Sequence, residues 1–231
     1  MYTLAIADRA YSSWSLRGWL LVVRFGLTAT VESGRLYTSG LSDLLEHYAP
    51  ATTVPALRIA GDGPERVVWD SLAIAETLAE LHPEAGHWPA EPVARGLARS
   101  LAAEMHAGFQ SLRTACPMNL RRAYVGFDPS PEVLRDLKRI ELLWRVAREA
   151  APNDGPWLFG DYCAADAFFA PVAARIATYD LPVSAENATY VLAHLGDRCF
   201  LDWRAAALAD PVELERYDLA LPELPWPGPL V

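Results

Sequence analysis

The amino-acid sequence predicts an α/β domain of roughly 80 residues followed by an all-helical region. Three observations carry that expectation. The first part reads as strand, helix, strand, an irregular connection, a strand pair and a helix. A stretch rich in proline and glycine, HPEAGHWPAEP, then interrupts the pattern. After it, apolar residues recur at helical spacing almost to the end.

Taken in order, Tyr2 to Ala7 alternate with Leu4 and Ile6 on one face, a short first strand that leads into a loop at Asp8 to Tyr11. Leu16, Trp19, Leu20 and Val23 share one helical face, the serines before them suit an N-cap, and the helix is expected to end near Gly26. A second strand is expected within Thr28 to Leu36 and a short helix at Leu41 to Tyr48. Ala56 to Ile59 and Arg66 to Trp69 flank Gly-Asp-Gly-Pro, which is turn chemistry and predicts an antiparallel hairpin. Leu72, Ala75, Leu78 and Ala79 mark a helix starting at Ser71. This β-α-β plus β-β-α order is that of a thioredoxin-like domain, expected over residues 1–82, with a linker at 83–92 and a helical domain at 93–231. In the latter, Leu97, Leu101, Met105, Phe109 and Leu112 read as one helix, and Val133, Leu137, Ile140 and Trp144 as the next. A further helix is expected after a tight Gly160-Asp161 turn, with shorter ones over Ala185 to Leu195 and Cys199 to Leu208. The tail ALPELPWPGPLV predicts an extended, non-helical end.

Of the 231 residues, 52% are apolar and 21% charged, enough for a sizeable core and unlike a disordered chain. Twenty Lys and Arg against 29 Asp and Glu leave a net charge of −9, with no basic run to grip phosphates, so no nucleic-acid partner is expected. Cys116, Cys163 and Cys199 are far apart and odd in number, which suits neither a disulfide framework nor a metal site and points to a reducing compartment. The opening MYTLAIADRA has no basic start followed by a long apolar stretch, and no apolar run approaches the ~18 residues of a membrane span. The expectation is a soluble, unprocessed, cytoplasmic protein with neither membrane nor metal.

Three short segments could carry chemistry. Tyr11-Ser12-Ser13-Trp14-Ser15-Leu16-Arg17 sets hydroxyls at the junction of first strand and first helix. They serve either as ordinary caps or as hydrogen-bond donors to an anion or thiolate held at the positive helix end. Lowering a thiol pKa from ~8.5 by about two units takes roughly 2.7 kcal/mol. A helix terminus supplies up to ~2 kcal/mol and a hydrogen bond to a charged group ~1.5–3 kcal/mol, so no base is required. At Val54-Pro55 a cis peptide could turn the chain and leave the Val54 backbone to pair with an extended peptide ligand, the alternative being a trans proline that simply starts a strand. At Asp70-Ser71 another helix start could take a carboxylate while Asp70 faces an ammonium group, the alternative again being capping.

The order of these segments, S-S-W-S-L-R, then T-V-P-A-L, then D-S-L-A-I, followed by an all-helical region, resembles the glutathione S-transferase superfamily over essentially the whole chain. The resemblance implies that glutathione, as co-substrate, lies along the N-terminal domain. Ser12 would hydrogen-bond its sulfur, with Ser13 the close second choice beside Trp14. Val54, before a cis Pro55, would pair with the cysteinyl unit, and Asp70 and Ser71 would hold the γ-glutamyl group. Thr53 stands where relatives often carry a longer polar side chain near the glycyl carboxylate.

Ser-Ser before the first helix is similar to the zeta class, which includes maleylacetoacetate isomerases. That class carries a cysteine after the two serines, where this chain has Trp14, and an arginine that aligns near Thr178, with Arg175 a turn earlier. The family's capping box appears here as Cys163-Ala164-Ala165-Asp166, with sulfur a weaker acceptor than a hydroxyl. A second substrate is expected against EMHAGFQSLRTACPMNLRR. There His106, Gln110 and Arg113 form a polar helical edge beside Met105, Phe109 and Leu112, residues that could equally be core and a structural ion pair. The resemblance as a whole implies a serine-type glutathione transferase of detoxification type, a homodimer acting on a small electrophile. A glutathione-dependent isomerase or peroxidase, or a non-catalytic binding protein of the same fold, is the alternative.

Overall fold

The computed structural model describes residues 1–61 and 63–227. The chain divides into two compact units, Met1–His87 and Trp88–Val231. No helix among the described residues is long and apolar enough to cross a membrane.

In the first unit the alternation and capping signals become β1 (Tyr2–Ile6), α1 (Ser13–Val23), β2 (Ala29–Ser33), α2 (Ser39–Glu46), β3 (Ala56–Ile59), β4 (Arg66–Trp69) and α3 (Ser71–Leu81). The sheet order is β2-β1-β3-β4, with β1 parallel to β2 and antiparallel to β3, and β4 antiparallel to β3. Of the Gly-Asp-Gly-Pro turn predicted between β3 and β4, Asp62 lies outside the described residues. Burial explains the strand order: Leu4, Ala5 and Ile6 of β1 and Ala56 and Leu57 of β3 are wholly buried, as central strands must be, whereas the edge strands β2 and β4 are half exposed. After α3 the chain is tied back. The Tyr2 hydroxyl lies 2.6 Å from His82 Nε2, Pro83–Ala85 form a 3₁₀ turn, and buried His87 meets the Leu21 carbonyl at 2.9 Å while stacking on Phe25.

The second unit contains α4 (Pro92–Ala107), α5 (Gln110–Ala115), β5 (Arg122–Tyr124), α6 (Pro131–Glu149), α7 (Ala164–Tyr179), α8 (Ala185–Gly196), α9 (Arg198–Ala209) and β6 (Glu223–Pro225). Every residue of α7 is buried, and α4, α8 and β5 pack around it. A helix with no solvent face, its few polar side chains Asp166, Arg175 and Thr178 bonded inside, becomes the axis of its unit. The turn predicted at Gly160-Asp161 precedes it: Gly160 has φ +84°, and a Cβ there would lie 1.8 Å from Asn153 Oδ1, so only glycine fits.

One expectation is corrected, and another, the extended tail, holds over its described residues with a strand added. The predicted single helix through Leu97, Leu101, Met105, Phe109 and Leu112 breaks after Ala107. Gly108 closes α4 with its N–H on Glu104 O, in an approach where a Cβ would stand 2.8 Å from that oxygen. Phe109 turns left-handed at φ 60°, and α5 starts afresh, with the Leu112 N–H donating to Asp136 Oδ2. Apolar spacing survives such a break, so periodicity cannot reveal it. The tail is also more than an extended end: Glu223–Pro225 pair with Arg122–Tyr124, a strand the sequence reading did not foresee. Trp226 is buried beside Phe200 and donates from Nε1 to Thr178 Oγ1. Residues 228–231 of the predicted tail lie outside the described residues.

Candidate active site

Strand register gathers the three motifs. Ala5 of β1 pairs with Ala56 of β3, and Ala56 with Trp69 of β4. One or two residues beyond that row stand Ala7, Val54-Pro55 and Asp70-Ser71, side by side at one end of the sheet. The chain after β2 reaches the same end, since Ile6 pairs with Ser33 and the Gly34 N–H donates to Ile6 O.

The loop entering α1 is built on Asp8. Its carbonyl accepts the N–H groups of Tyr11 and Ser12, at 3.1 and 2.8 Å, and its buried carboxylate accepts from Arg35 Nη1 at 2.6 Å and the Leu36 N–H at 2.7 Å. Ser12 is the N-cap, its Oγ accepting the Ser15 N–H at 3.3 Å and lying 2.7 Å from Ser15 Oγ. Ser15 Oγ in turn accepts the Ala7 N–H at 2.8 Å, which fastens the cap to the end of β1. Ser12 is 6% exposed, while Ser13, the first helical residue, and Trp14 are half-buried. The Arg17 guanidinium lies over the Trp14 ring, 4.7 Å from its centroid. The α1 N-terminus therefore brings a positive dipole end and two adjacent hydroxyls to this end of the sheet.

Val54-Pro55 is cis, the form that the resemblance implies. Pro55 packs on α1 so closely that a Cβ at Gly18 would lie 2.4 Å from Pro55 Cβ. Thr53 is exposed. At the start of α3, Asp70 caps the Leu72 N–H at 2.8 Å while its own backbone sits at φ 72°, ψ 134°, a region L-residues rarely adopt and one that costs about 1–3 kcal/mol. Ser71 is wholly buried, and its Oγ has no hydrogen-bond partner among the described residues. Buried side-chain nitrogens of Trp144 and His194 share this state, so it leaves Ser71 open to a ligand without requiring one.

The residues expected to meet a second substrate fare differently. His106, Gln110 and Arg113 do not form one helical edge, because the chain breaks between α4 and α5. Met105 is wholly buried and Phe109 nearly so. Arg113 folds back, its Nη1 reaching the carbonyls of His106 and Gly108 at 3.1 and 3.4 Å, and burial lowers its pKa. His106 is half-buried, its ring 6.3 Å from that of Phe168. Arg175 is buried in α7, where Nε donates to Cys116 O at 2.8 Å and Nη1 to Pro171 O, and burial brings its pKa down to about 10. The Thr178 hydroxyl donates to Asn119 O at 3.0 Å.

Asp8, Gly18 and Arg35 escaped the sequence reading, and Ser15 entered it only as one hydroxyl of the segment 11–17. Gly18 alone left a signal, since a glycine inside a helix can mark tight packing, here against the Pro55 side chain. The interactions of Asp8 and Arg35 join segments far apart in sequence, and that of Ser15 depends on how a hydroxyl turns.

Residues 11–81 match the family model described as glutathione S-transferase, N-terminal domain. No curated protein sequence matches the chain. Among solved structures, a glutathione transferase homologue from Burkholderia gl BGR1 with bound glutathione is 22% identical, with a TM-score of 0.64 over 90% of this chain and 98% of that one. Glutathione transferase Omega 2S from Trametes versicolor is 20% identical, with a TM-score of 0.67 over 90% and 95%. Maleylacetoacetate isomerase from Anaeromyxobacter dehalogenans 2CP-1, with GSH in its active site, is 20% identical, with a TM-score of 0.60 over 88% and 94%. The fold is thus that of glutathione transferases, a thioredoxin-like α/β domain plus a helical domain.

Proposed function

We propose that this protein is a serine-type glutathione transferase that ionises the thiol of glutathione for attack on a small electrophile. The observation that carries the proposal is the convergence at one sheet end of the α1 N-terminus with Ser12 and Ser13, the Val54-Pro55 turn, and the buried, unmet Ser71 hydroxyl beside Asp70. The Ser12 hydroxyl donates to the sulfur, and Ser13, more exposed and one position on, is the second candidate. The Val54 backbone pairs with the cysteinyl unit, Thr53 lies toward the glycyl end, and Ser71 and Asp70 take the γ-glutamyl carboxylate and ammonium groups. Trp14 flanks the thiol site. Catalysis then rests on ionisation and proximity, without a dedicated base. We assign Met105 and Phe109 to packing and keep His106 and Arg113 as candidates for contact with the electrophile. By the same resemblance the protein is a cytoplasmic homodimer engaged in detoxification.

Conjugation is favoured over isomerisation because Arg175 and Thr178, which stand near the zeta-class arginine, are both buried and committed to backbone carbonyls. Saturating the protein with glutathione at neutral pH is expected to produce the ultraviolet absorbance of a thiolate. Ser12→Ala is expected to reduce that signal, and conjugation of a nitro-activated aryl chloride, far more than glutathione affinity. No thiolate signal in the parent protein would end this reading. Full activity in Ser12→Ala would transfer the role to Ser13.

A further inference from the structure

We infer that Ser15, wholly buried one helical turn behind the cap, is a positioning residue that sets the direction of the Ser12 hydroxyl proton. The inference rests on the glutathione reading above and adds a residue to it. A serine hydroxyl has one proton and two lone pairs. Ser15 Oγ uses one lone pair on the Ala7 N–H at 2.8 Å, and Ser12 Oγ uses one on the Ser15 N–H at 3.3 Å. The two oxygens are 2.7 Å apart and share a single proton, which either can donate.

The two arrangements are unequal. If Ser12 donates to Ser15, both lone pairs of Ser15 are filled and its own proton, in a site with no solvent exposure, finds no other acceptor among the described residues. A buried donor left unmet is unfavourable. If Ser15 donates to Ser12, every group inside is satisfied, both lone pairs of Ser12 are filled, and the Ser12 proton has to point away from the protein interior. The amide of Ala7 thus acts through Ser15 to hold Ser12 as a donor. A thiolate gains strongly from such a donor, and a neutral thiol, a weak acceptor, gains far less. Because the orientation exists before the ligand arrives, no reorganisation accompanies ionisation.

The test compares Ser15→Ala, Ser12→Ala and the double variant by pH titration of bound glutathione thiolate absorbance, alongside kcat and KM for the aryl chloride reaction. For Ser15→Ala the expected result is a thiol pKa raised by about one unit and a roughly tenfold lower rate at neutral pH that recovers in alkali, with the KM for glutathione changed less than about twofold. The double variant is expected to match Ser12→Ala, because Ser15 acts through Ser12. Should Ser15→Ala not fold, Ser15→Cys, close in size and a weak donor, is expected to show a smaller shift of the same sign. An unshifted thiol pKa in the Ser15 variants, with Ser12→Ala shifted, overturns the positioning role and leaves the proposed function standing. An unshifted pKa in Ser12→Ala as well overturns Ser12 as the sulfur donor together with it.

Discussion

The N-termini of α1 and α7 apply the same capping chemistry to opposite ends. At α1 the cap is a serine, its neighbour Ser13 is half-exposed, and the hydroxyls lie at the end of the sheet. At α7 the cap is Cys163, 3% exposed, and the charge is Asp166, wholly buried. Asp166 Oδ1 accepts the Leu158 N–H at 3.1 Å and the Tyr190 O–H at 2.8 Å, and Oδ2 accepts the Cys163 N–H at 2.9 Å. The Asp166 N–H is held by the Cys163 carbonyl at 3.0 Å. An N-terminus whose cap is satisfied inside the protein stabilises the fold. One that has a donor left to offer, as the Ser71 hydroxyl does at α3, can hold a ligand. What the cap already meets inside separates the two roles, since residue type and burial do not.

The largest break in this comparison is expected from Asp166→Ala, which strands two amides and a tyrosine hydroxyl in the core. Stability should fall by about 3–5 kcal/mol in urea unfolding, against little loss for a cap substitution at an exposed helix. Gly18→Ala tests the other end. Its new methyl must displace Pro55, so we expect about 1–3 kcal/mol of destabilisation. If the proposed function holds, glutathione affinity should also weaken, because Val54 moves with Pro55, and calorimetric titration measures it.

Burial raises the Asp166 pKa to about 6 from an unfolded 3.8, so this group favours the fold below 3.8 and loses that contribution as pH rises through 6. Burial lowers the His194 pKa to about 3 from 6.5, so this group favours the fold above 6.5 and loses its contribution as pH falls toward 3. Between pH 4 and 6 the two slopes oppose each other. Asp166→Asn should therefore uncover a decline of about 1.4 kcal/mol per pH unit on acidification, the full effect of one proton, in denaturation midpoints followed across that range. A flat profile in the variant would mean that His194 does not stay neutral in the fold. The smallest effect is expected from Cys163→Ser, which makes the α7 cap resemble that of α1 and should add up to about 1 kcal/mol of thermal stability without changing turnover.

What could be read from the chain alone was local in character. Alternation in Tyr2 to Ile6, the serines before Leu16, the turn chemistry between β3 and β4 and the period of α6 each depend on residues within a few positions, and each predicted an element that formed. The three candidate segments could be picked out for the same reason: a helix start or an X-Pro bond is written in adjacent residues. Tertiary structure decided the rest. The break at Gly108 and Phe109 depends on Asp136 and on the fit of Gly108 against Glu104, the pairing of Glu223–Pro225 with Arg122–Tyr124 joins segments far apart in the chain, and Pro55 made Gly18 indispensable. Whether a serine, an aspartate or a cysteine at a helix start meets a ligand or only the core is set by what packs over it, and no stretch of neighbouring residues contains that information.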